Sequence, residues 1–118
     1  MGYRAHVCTT YKVMYGSGFF SADACDAVNR LLMSYEYLDR DGYRKSLVEY
    51  CDQEEAVIEL SRKGLESLVE SLEGESFNPK ELDALSGIGY SRENLADVFK
   101  RWLESADKSN SFIRIEWF

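Results

Sequence analysis

Residues 3–15 read Tyr-Arg-Ala-His-Val-Cys-Thr-Thr-Tyr-Lys-Val-Met-Tyr, and the fold of the chain depends on this stretch. It is rich in β-branched and aromatic residues, which suit the pleated surface of a sheet. Its odd-numbered positions form the more apolar face, and its even-numbered positions are only partly polar. This alternation predicts one long interior strand that is half covered on its second side and ends at Gly16-Ser17-Gly18.

The size and composition of the chain are those of one globular domain. It has 118 residues, of which 45% are hydrophobic, and eight Tyr, six Phe and two Trp can supply a core. The sequence contains no 18-residue apolar run and no basic-then-apolar leader, so we expect neither a transmembrane span nor secretion. Three cysteines without a Cys-x-x-Cys pair indicate reduced thiols. We therefore expect a cytoplasmic protein.

The net charge of −7 is concentrated in one segment. Residues 49–85 contain eleven acidic and three basic side chains and so carry −8, whereas residues 1–20 contain no acid. An acidic patch repels phosphate and attracts basic surfaces, which disfavours direct binding of nucleic acid or anionic membranes. The segment predicts a protein partner with a basic surface; the alternative is a solvated face that only maintains solubility.

Four segments place apolar residues at helical spacing behind residues that favour helix N-termini. Proline at the first position supports the short helix after Asn78. The predicted helices span residues 22–35, 62–73, 79–85 and 92–107.

β-Branched and aromatic residues predict further strands, two of them joined by a hairpin connection at residues 52–55. The strand before this connection is ambiguous, because one helical turn fits residues 45–51 as well. The predicted strands span residues 3–15, 45–51, 56–60 and 112–118. The order of elements predicts a single α+β domain over residues 1–118, with a small mainly antiparallel sheet and helices mostly on one face. We expect the last strand to lie beside the first.

A glycine-containing turn separates two of the predicted helices. The Gly-Ile-Gly turn within residues 82–95 resembles the hairpin of the helix-hairpin-helix DNA-binding module. In that family the backbone N–H groups of the hairpin hold a phosphate, and glycine permits the close approach. Glu93 stands where the family usually has a small residue, and an ordinary helix break is the alternative. The resemblance implies a nucleic-acid-binding site formed by Gly87, Ile88, Gly89 and Arg92.

Two groups of glutamates are candidate contacts for a basic protein partner. One group recurs along one face of the predicted helix at residues 62–73, and the other lies around the predicted hairpin. Binding through such residues weakens with salt. The two groups are Glu66, Glu70 and Glu73, and Glu54, Glu55 and Glu59.

The opening Met-Gly-Tyr-Arg leads directly into the predicted first strand. It resembles the opening of small uncharacterised phage-encoded proteins. The resemblance implies a phage or mobile-element accessory protein that acts in the bacterial cytoplasm, and such proteins often block a host machine. A defence machine such as a CRISPR effector is the most specific target that the resemblance implies.

No catalytic constellation can be recognised in the sequence. His6 is the single histidine, no carboxylate is tied to it by spacing, and no nucleophile–base pair is visible. Cys8, Cys25 and Cys51 lie in or beside predicted apolar faces, which is typical of structural thiols. We therefore expect no enzymatic activity, no cofactor and no metal site; the sequence does not indicate an oligomeric state.

These observations lead to two hypotheses of different class. The first is a non-enzymatic acidic interaction protein, an inhibitor that blocks a basic nucleic-acid-binding surface of a host machine. The alternative is a small nucleic-acid-binding module that uses the helix-hairpin-helix-like Gly-Ile-Gly turn.

Overall fold

The computed structural model describes residues 3–8 and 13–118, and it describes side chains at all of these positions except residue 8 and residues 13–19. Within these ranges, five strands form one antiparallel sheet in the order β2-β1-β7-β6-β5, and β3 and β4 form a separate hairpin. The strands are β1 (Ala5–Cys8), β2 (Val13–Phe19), β3 (Glu36–Leu38), β4 (Arg44–Ser46), β5 (Val48–Asp52), β6 (Val57–Ser61) and β7 (Phe112–Trp117).

Four α-helices follow the predicted segments closely: α1 (Cys25–Ser34), α2 (Arg62–Glu73), α3 (Glu81–Ser86) and α4 (Arg92–Ser105). A short 3-10 turn precedes α1. Among the described residues, none of the helices is long and apolar enough to cross a membrane.

The two longest helices begin at serine caps, as their sequences predict. The Ser61 side chain accepts a hydrogen bond from the Gly64 backbone N–H, and Ser91 forms a reciprocal capping box with Asn94. Such caps satisfy backbone donors that have no partner within the helix. Ser21, the residue before the 3-10 turn, makes no side-chain cap hydrogen bond.

The α+β class is confirmed, and so is the pairing of the last strand with the first. β1 and β7 are antiparallel, with Ala5 opposite Trp117 and Val7 opposite Ile115. The hairpin connection is also confirmed, since β5 pairs with β6. Residues 45–51 are extended rather than helical, although they divide between β4 and β5 at the buried Leu47.

The prediction of one continuous strand over residues 3–15 is wrong. Two antiparallel strands, β1 and β2, occupy this part of the chain, and residues 9–12 lie outside the described residues. Gly16-Ser17-Gly18, expected to end the strand, lies inside β2. An alternating pattern has the same period in one long strand and in a hairpin, so it does not locate the turn. The β3–β4 hairpin, whose strands lie on either side of residues 39–42, was not expected.

One face of the sheet and the helices enclose a hydrophobic core, which the buried side chains of the described residues form together. β7 shows this most clearly, because its residues are alternately buried and half-buried. The core side chains of the sheet include Ala5, Val7, Ile58, Leu60, Ile113 and Ile115. The opposite face of the same strands carries charged groups, so the sheet presents a polar surface away from the core.

Gly64 allows the β3–β4 hairpin to approach α2 closely. A Cβ atom at this position would lie 2.8 Å from Cε1 of Tyr37 and 2.9 Å from Cδ1 of Leu47. Neither side chain is free to move, because the Tyr37 hydroxyl is hydrogen-bonded to Ser61 Oγ at 2.8 Å and Leu47 is fully buried. Glycine is therefore required here for packing, in spite of its cost in helix propensity.

We predict that Gly64→Ala destabilises the protein by about 1–3 kcal/mol, because the added methyl group overpacks this contact. Intrinsic helix propensity alone would stabilise the variant by about 1 kcal/mol. Urea unfolding measures the difference. The matched control is Gly87→Ala, because Gly87 is exposed, its φ of −62° suits alanine, and the new Cβ would lie 3.4 Å from the Ala84 carbonyl oxygen. Equal effects of the two substitutions would contradict the packing role.

Candidate functional site

The first predicted group of glutamates lies on an exposed stripe of α2. Glu66, Glu70 and Glu73 are all exposed and recur at the spacing of one helix face. The opposite side of the helix is buried by Leu65, Leu68, Val69 and Leu72. The helix is therefore amphipathic, and its acidic stripe faces away from the core.

α2 and α4 pack antiparallel, and each contributes an arginine to the end of the other. Arg62, at the start of α2, donates to the carbonyl oxygens of Leu103, Asp107 and Asn110 at 3.2, 2.9 and 3.1 Å. Arg92, at the start of α4, donates to the carbonyl oxygen of Leu72, at the end of α2, at 3.3 Å. Neither helix has a basic residue in its own last turn. These reciprocal contacts supply cations where the helix dipoles favour them.

Glu73 joins the acidic stripe of α2 to α4. Its Oε2 accepts a hydrogen bond from Lys100 Nζ at 2.6 Å, and this bond raises the pKa of Lys100. Both side chains are about half exposed, so the pair is screened by solvent and adds little to stability. Its main consequence is that Lys100 offsets one of the stripe's charges.

A groove of about 590 Å³ runs between the two helices beside this ion pair. Two further exposed carboxylates from α4, Glu93 and Asp97, line it together with Glu73 and Lys100. The acidic surface therefore extends from one helix to the other. We define the α2–α4 acidic face as Glu66, Glu70, Glu73, Glu93 and Asp97.

The second predicted group of glutamates does not belong to this face. Glu54 and Glu55 are exposed in the β5–β6 turn, where their backbone N–H groups donate to Asp52 Oδ1 at 3.1 and 3.2 Å. Glu59 lies on the polar face of the sheet and accepts from Arg114 Nη1 at 3.0 Å. Arg114 also contacts Glu116, and both hydrogen bonds raise its pKa. The six predicted glutamates are thus distributed over three surfaces.

The structure places Gly87, Ile88 and Gly89 in an exposed turn between α3 and α4. Gly89 has a φ of +94°, which favours glycine, and the Ile88 side chain is 43% exposed. However, α3 packs mainly against α1 rather than against α4. The two helices beside the turn therefore do not form a closely packed pair.

Arg92, the basic residue of the predicted nucleic-acid site, is engaged within the protein. Besides Leu72, its guanidinium contacts the carbonyl oxygen of Phe77 at 2.8 Å and Oδ1 of Asn78. Its donors are directed to the segment that follows α2. This arrangement gives Arg92 a structural role and gives the turn at Gly87–Gly89 no support as a phosphate site.

The side chains of the described residues do not form a metal site. No group of three or more His, Cys, Asp or Glu side chains among them is placed to hold a metal ion. His6 is 8% exposed and stacks on Phe118 with ring centroids 4.1 Å apart, as expected for a packed histidine.

A second groove was not predicted, because residues from distant parts of the sequence form it. Tyr3, Asn29 and Trp117 line it, together with residues of the β5–β6 turn. One sequence signal could have indicated it: Asn29 lies four residues after Cys25, on the side of the helix that Cys25 and Leu32 assign to the interior. A polar residue at such a position requires a partner.

Comparisons with known proteins found no match to a family model, a curated protein or a solved structure. The function of the chain is therefore inferred from its surfaces, their charges and their hydrogen bonding.

We predict that Arg92→Ala destabilises the protein by about 1–3 kcal/mol, because it leaves carbonyl groups at the end of α2 without their charged donor. The control is Arg40→Ala, which removes the same charge from an exposed turn and should change stability by no more than about 0.5 kcal/mol. Urea unfolding compares the two variants. Unchanged stability of the Arg92 variant, together with loss of a DNA mobility shift shown by the parent protein, would favour the nucleic-acid interpretation instead.

Proposed function

We propose that this chain is a non-enzymatic acidic interaction protein that docks its α2–α4 acidic face onto a basic surface of a larger protein. The observation that supports this proposal is the continuity of the face: five exposed carboxylates extend across two packed helices. Lys100 lies among them, and Lys63 begins the same stripe of α2. The face is therefore acidic on balance.

The helices fix the backbone positions of these acidic residues before any partner binds. Serine caps fix the starts of α2 and α4, and the reciprocal arginines hold their ends. Side chains four residues apart on one helix face are separated by about 6 Å along the axis. Because the backbone is already ordered, binding costs only the rotamer entropy of these side chains, and their field accelerates encounter with a basic partner.

A basic surface that binds nucleic acid is the kind of target that such an array fits best. These surfaces carry closely spaced Lys and Arg side chains that contact phosphates. Carboxylates on a rigid helix face satisfy the same cations, so the two ligands compete. The protein then acts as an inhibitor by occupying that surface. In this proposal it is a phage or mobile-element protein that inhibits a host defence machine such as a CRISPR effector.

The nucleic-acid-binding alternative has no comparable support. The segment that carries the predicted turn has few cations, and Arg92 is hydrogen-bonded to backbone carbonyls. A mobility-shift assay at low salt tests it, and retardation of any DNA that Gly87→Val abolishes would restore it.

We predict that Glu66→Lys combined with Glu70→Lys weakens partner binding by at least about tenfold, because it places two cations against a basic surface. Neither residue takes part in a salt bridge among the described residues, so the substitution should leave the fold intact. The measurement is capture of the partner from the bacterial host by tagged protein, followed by binding assays with the purified partner at several salt concentrations.

The matched control is Glu54→Lys combined with Glu55→Lys, which changes the net charge equally but on the β5–β6 turn. This control should bind like the parent protein and displace nucleic acid from the partner equally well. Equal weakening by both pairs would show that net charge, and not the α2–α4 acidic face, governs binding. A captured partner that binds nucleic acid normally in the presence of the protein would contradict inhibition by occupancy.

A further inference from the structure

The outer edge of β5 is open. β5 is the last strand of the sheet and pairs with β6 on one side, and among the described residues no further strand lies on its other side. Glu49, Tyr50 and Cys51 are all exposed, and Tyr50 is 49% exposed in spite of its large ring. The backbone N–H and C=O groups along such an edge are available to pair with another extended chain.

Two hydrogen bonds of β6 show in which direction its backbone groups point. The N–H of Ser61 donates to the carbonyl oxygen of Leu47 at 2.8 Å, on the β5 side. The carbonyl oxygen of Ala56 accepts from the N–H of Trp117 at 2.9 Å, on the β7 side. Backbone groups alternate in direction along an antiparallel strand, so the odd-numbered residues of β6 direct theirs to β5.

This alternation identifies Cys51 as the residue whose backbone faces outward. Tyr50 and Asp52 lie opposite Glu59 and Val57, which are odd-numbered residues of β6, so these pairs are hydrogen-bonded. Cys51 lies between them and therefore directs its N–H and C=O away from β6. Outside the pairing with β6, neither group has a backbone partner among the described residues.

Four carboxylates lie along this edge and the turn that follows it: Glu49, Asp52, Glu54 and Glu55. Residues 49–55 contain no basic side chain. Asp52 Oδ1 fixes the turn by accepting from the backbone N–H groups of Glu54 and Glu55 at 3.1 and 3.2 Å. None of the four carboxylates forms a salt bridge with a described residue, so the edge is acidic and its charge is not neutralised.

The two sides of β5 differ in polarity. Cys51 lies opposite the core residue Ile58, so its side chain is on the side where Met33 and Ile58 line a groove of about 850 Å³. Tyr50 lies opposite Glu59, on the polar face of the sheet. A strand added at this edge would therefore turn alternate side chains toward an apolar groove and toward a polar face. Apart from Asp52, the charged side chains of the groove are two of each sign: Asp26, Glu81, Arg30 and Lys80.

The charge of the edge determines which strand can pair with it. A second copy of the chain would place the same carboxylates against each other, and like charges on neighbouring strands are destabilising. The register shift between Val48 and Tyr50 also disturbs the regular edge that self-pairing needs. A strand that carries cations is attracted by the same carboxylates.

We propose that the outer edge of β5 binds an extended basic segment of another protein, which joins the sheet as a further strand. The N–H and C=O of Cys51 fix its register, its apolar residues face Met33, and its alternate Lys or Arg residues meet the carboxylates. In strand addition of this kind, main-chain hydrogen bonds provide affinity and alternate side chains provide specificity. The site is independent of the α2–α4 acidic face, so either proposal can fail without the other.

The test uses the full chain and the synthetic peptide Thr-Lys-Val-Lys-Val-Lys-Thr, which is slightly longer than β5. Amide hydrogen exchange is followed in ¹⁵N–¹H correlation spectra. In the free protein, the Cys51 N–H should exchange faster than the inward-facing Tyr50 N–H. Saturating peptide should slow exchange at Cys51 by at least about tenfold and leave Tyr50 nearly unchanged. Unchanged exchange at Cys51 would overturn the proposal.

Two control peptides separate strand addition from simple charge attraction. In Thr-Lys-Pro-Lys-Pro-Lys-Thr, proline replaces the valines, whose N–H groups would face Cys51, and the charge stays the same. In Thr-Glu-Val-Glu-Val-Glu-Thr, the strand pattern stays and the charge is reversed. Both should bind at least about tenfold more weakly than the first peptide. Equal affinity of either control would contradict the proposal.

Glu49→Lys tests the edge itself and should weaken binding of the basic peptide by at least about tenfold. The matched control is Glu104→Lys, an equal charge change at an exposed position of α4, which should bind like the parent protein. If the Glu49→Lys variant does not fold, Glu49→Gln replaces it, with weaker binding again expected. Equal effects of the two positions would contradict the proposal. Protection of Cys51 that rises with protein concentration and needs no peptide would identify a second copy as the occupant and would also contradict it.

Discussion

The pairing of β7 with both β1 and β6 is the constraint on which the other elements depend. β7 is the middle strand of the sheet, with His6 opposite Glu116 on one side and Leu60 opposite Ile113 on the other. Beyond the strand ends, Arg4 and Phe118 exchange two backbone hydrogen bonds of 2.9 Å. These contacts join opposite ends of the sequence, so the core face of the sheet is complete only when the long loop between β1 and β7 has closed.

Much of the fold could be predicted because local patterns and tertiary packing agree. Capping residues and apolar stripes located α2 and α4, and the β-branched and aromatic residues at 112–118 located β7. Residues 3–15 show the limit of such patterns. An alternating pattern shows which side chains share a face, but it does not show where the chain reverses. The glycines that were expected to end the strand lie within β2 instead. The β3–β4 hairpin was missed because its three-residue strands are mostly exposed and polar, and they are positioned by packing at Gly64.

The candidate site, like the fold, was predictable only where local spacing along the sequence determines it. Helical spacing correctly grouped Glu66, Glu70 and Glu73 on one exposed stripe. It could not show which carboxylates form ion pairs, since Glu73 and Lys100 are 27 residues apart in sequence and Glu59 and Arg114 are 55 apart. The same holds for the groove at Trp117, whose wall comes from both ends of the chain and from segments between them. Partners of this kind are decided by tertiary structure, which single-sequence patterns do not encode.

The reciprocal arginines connect the architecture of the helix pair with its charge. Neither α2 nor α4 ends in a left-handed glycine, because Gly74 has a φ of −86° and Ala106 is extended. After α2, the backbone N–H groups of the left-handed Glu75 and of Ser76 donate to the carbonyl oxygens of Leu72 and Ser71. Arg62 and Arg92 add charged donors to each helix end from the start of the other helix. This arrangement fixes the antiparallel pair and holds both guanidinium groups at backbone carbonyls. Arg62 and Arg92 are thus committed to the helix ends, and the cations that remain beside the carboxylates of α2 and α4 are Lys63 and Lys100.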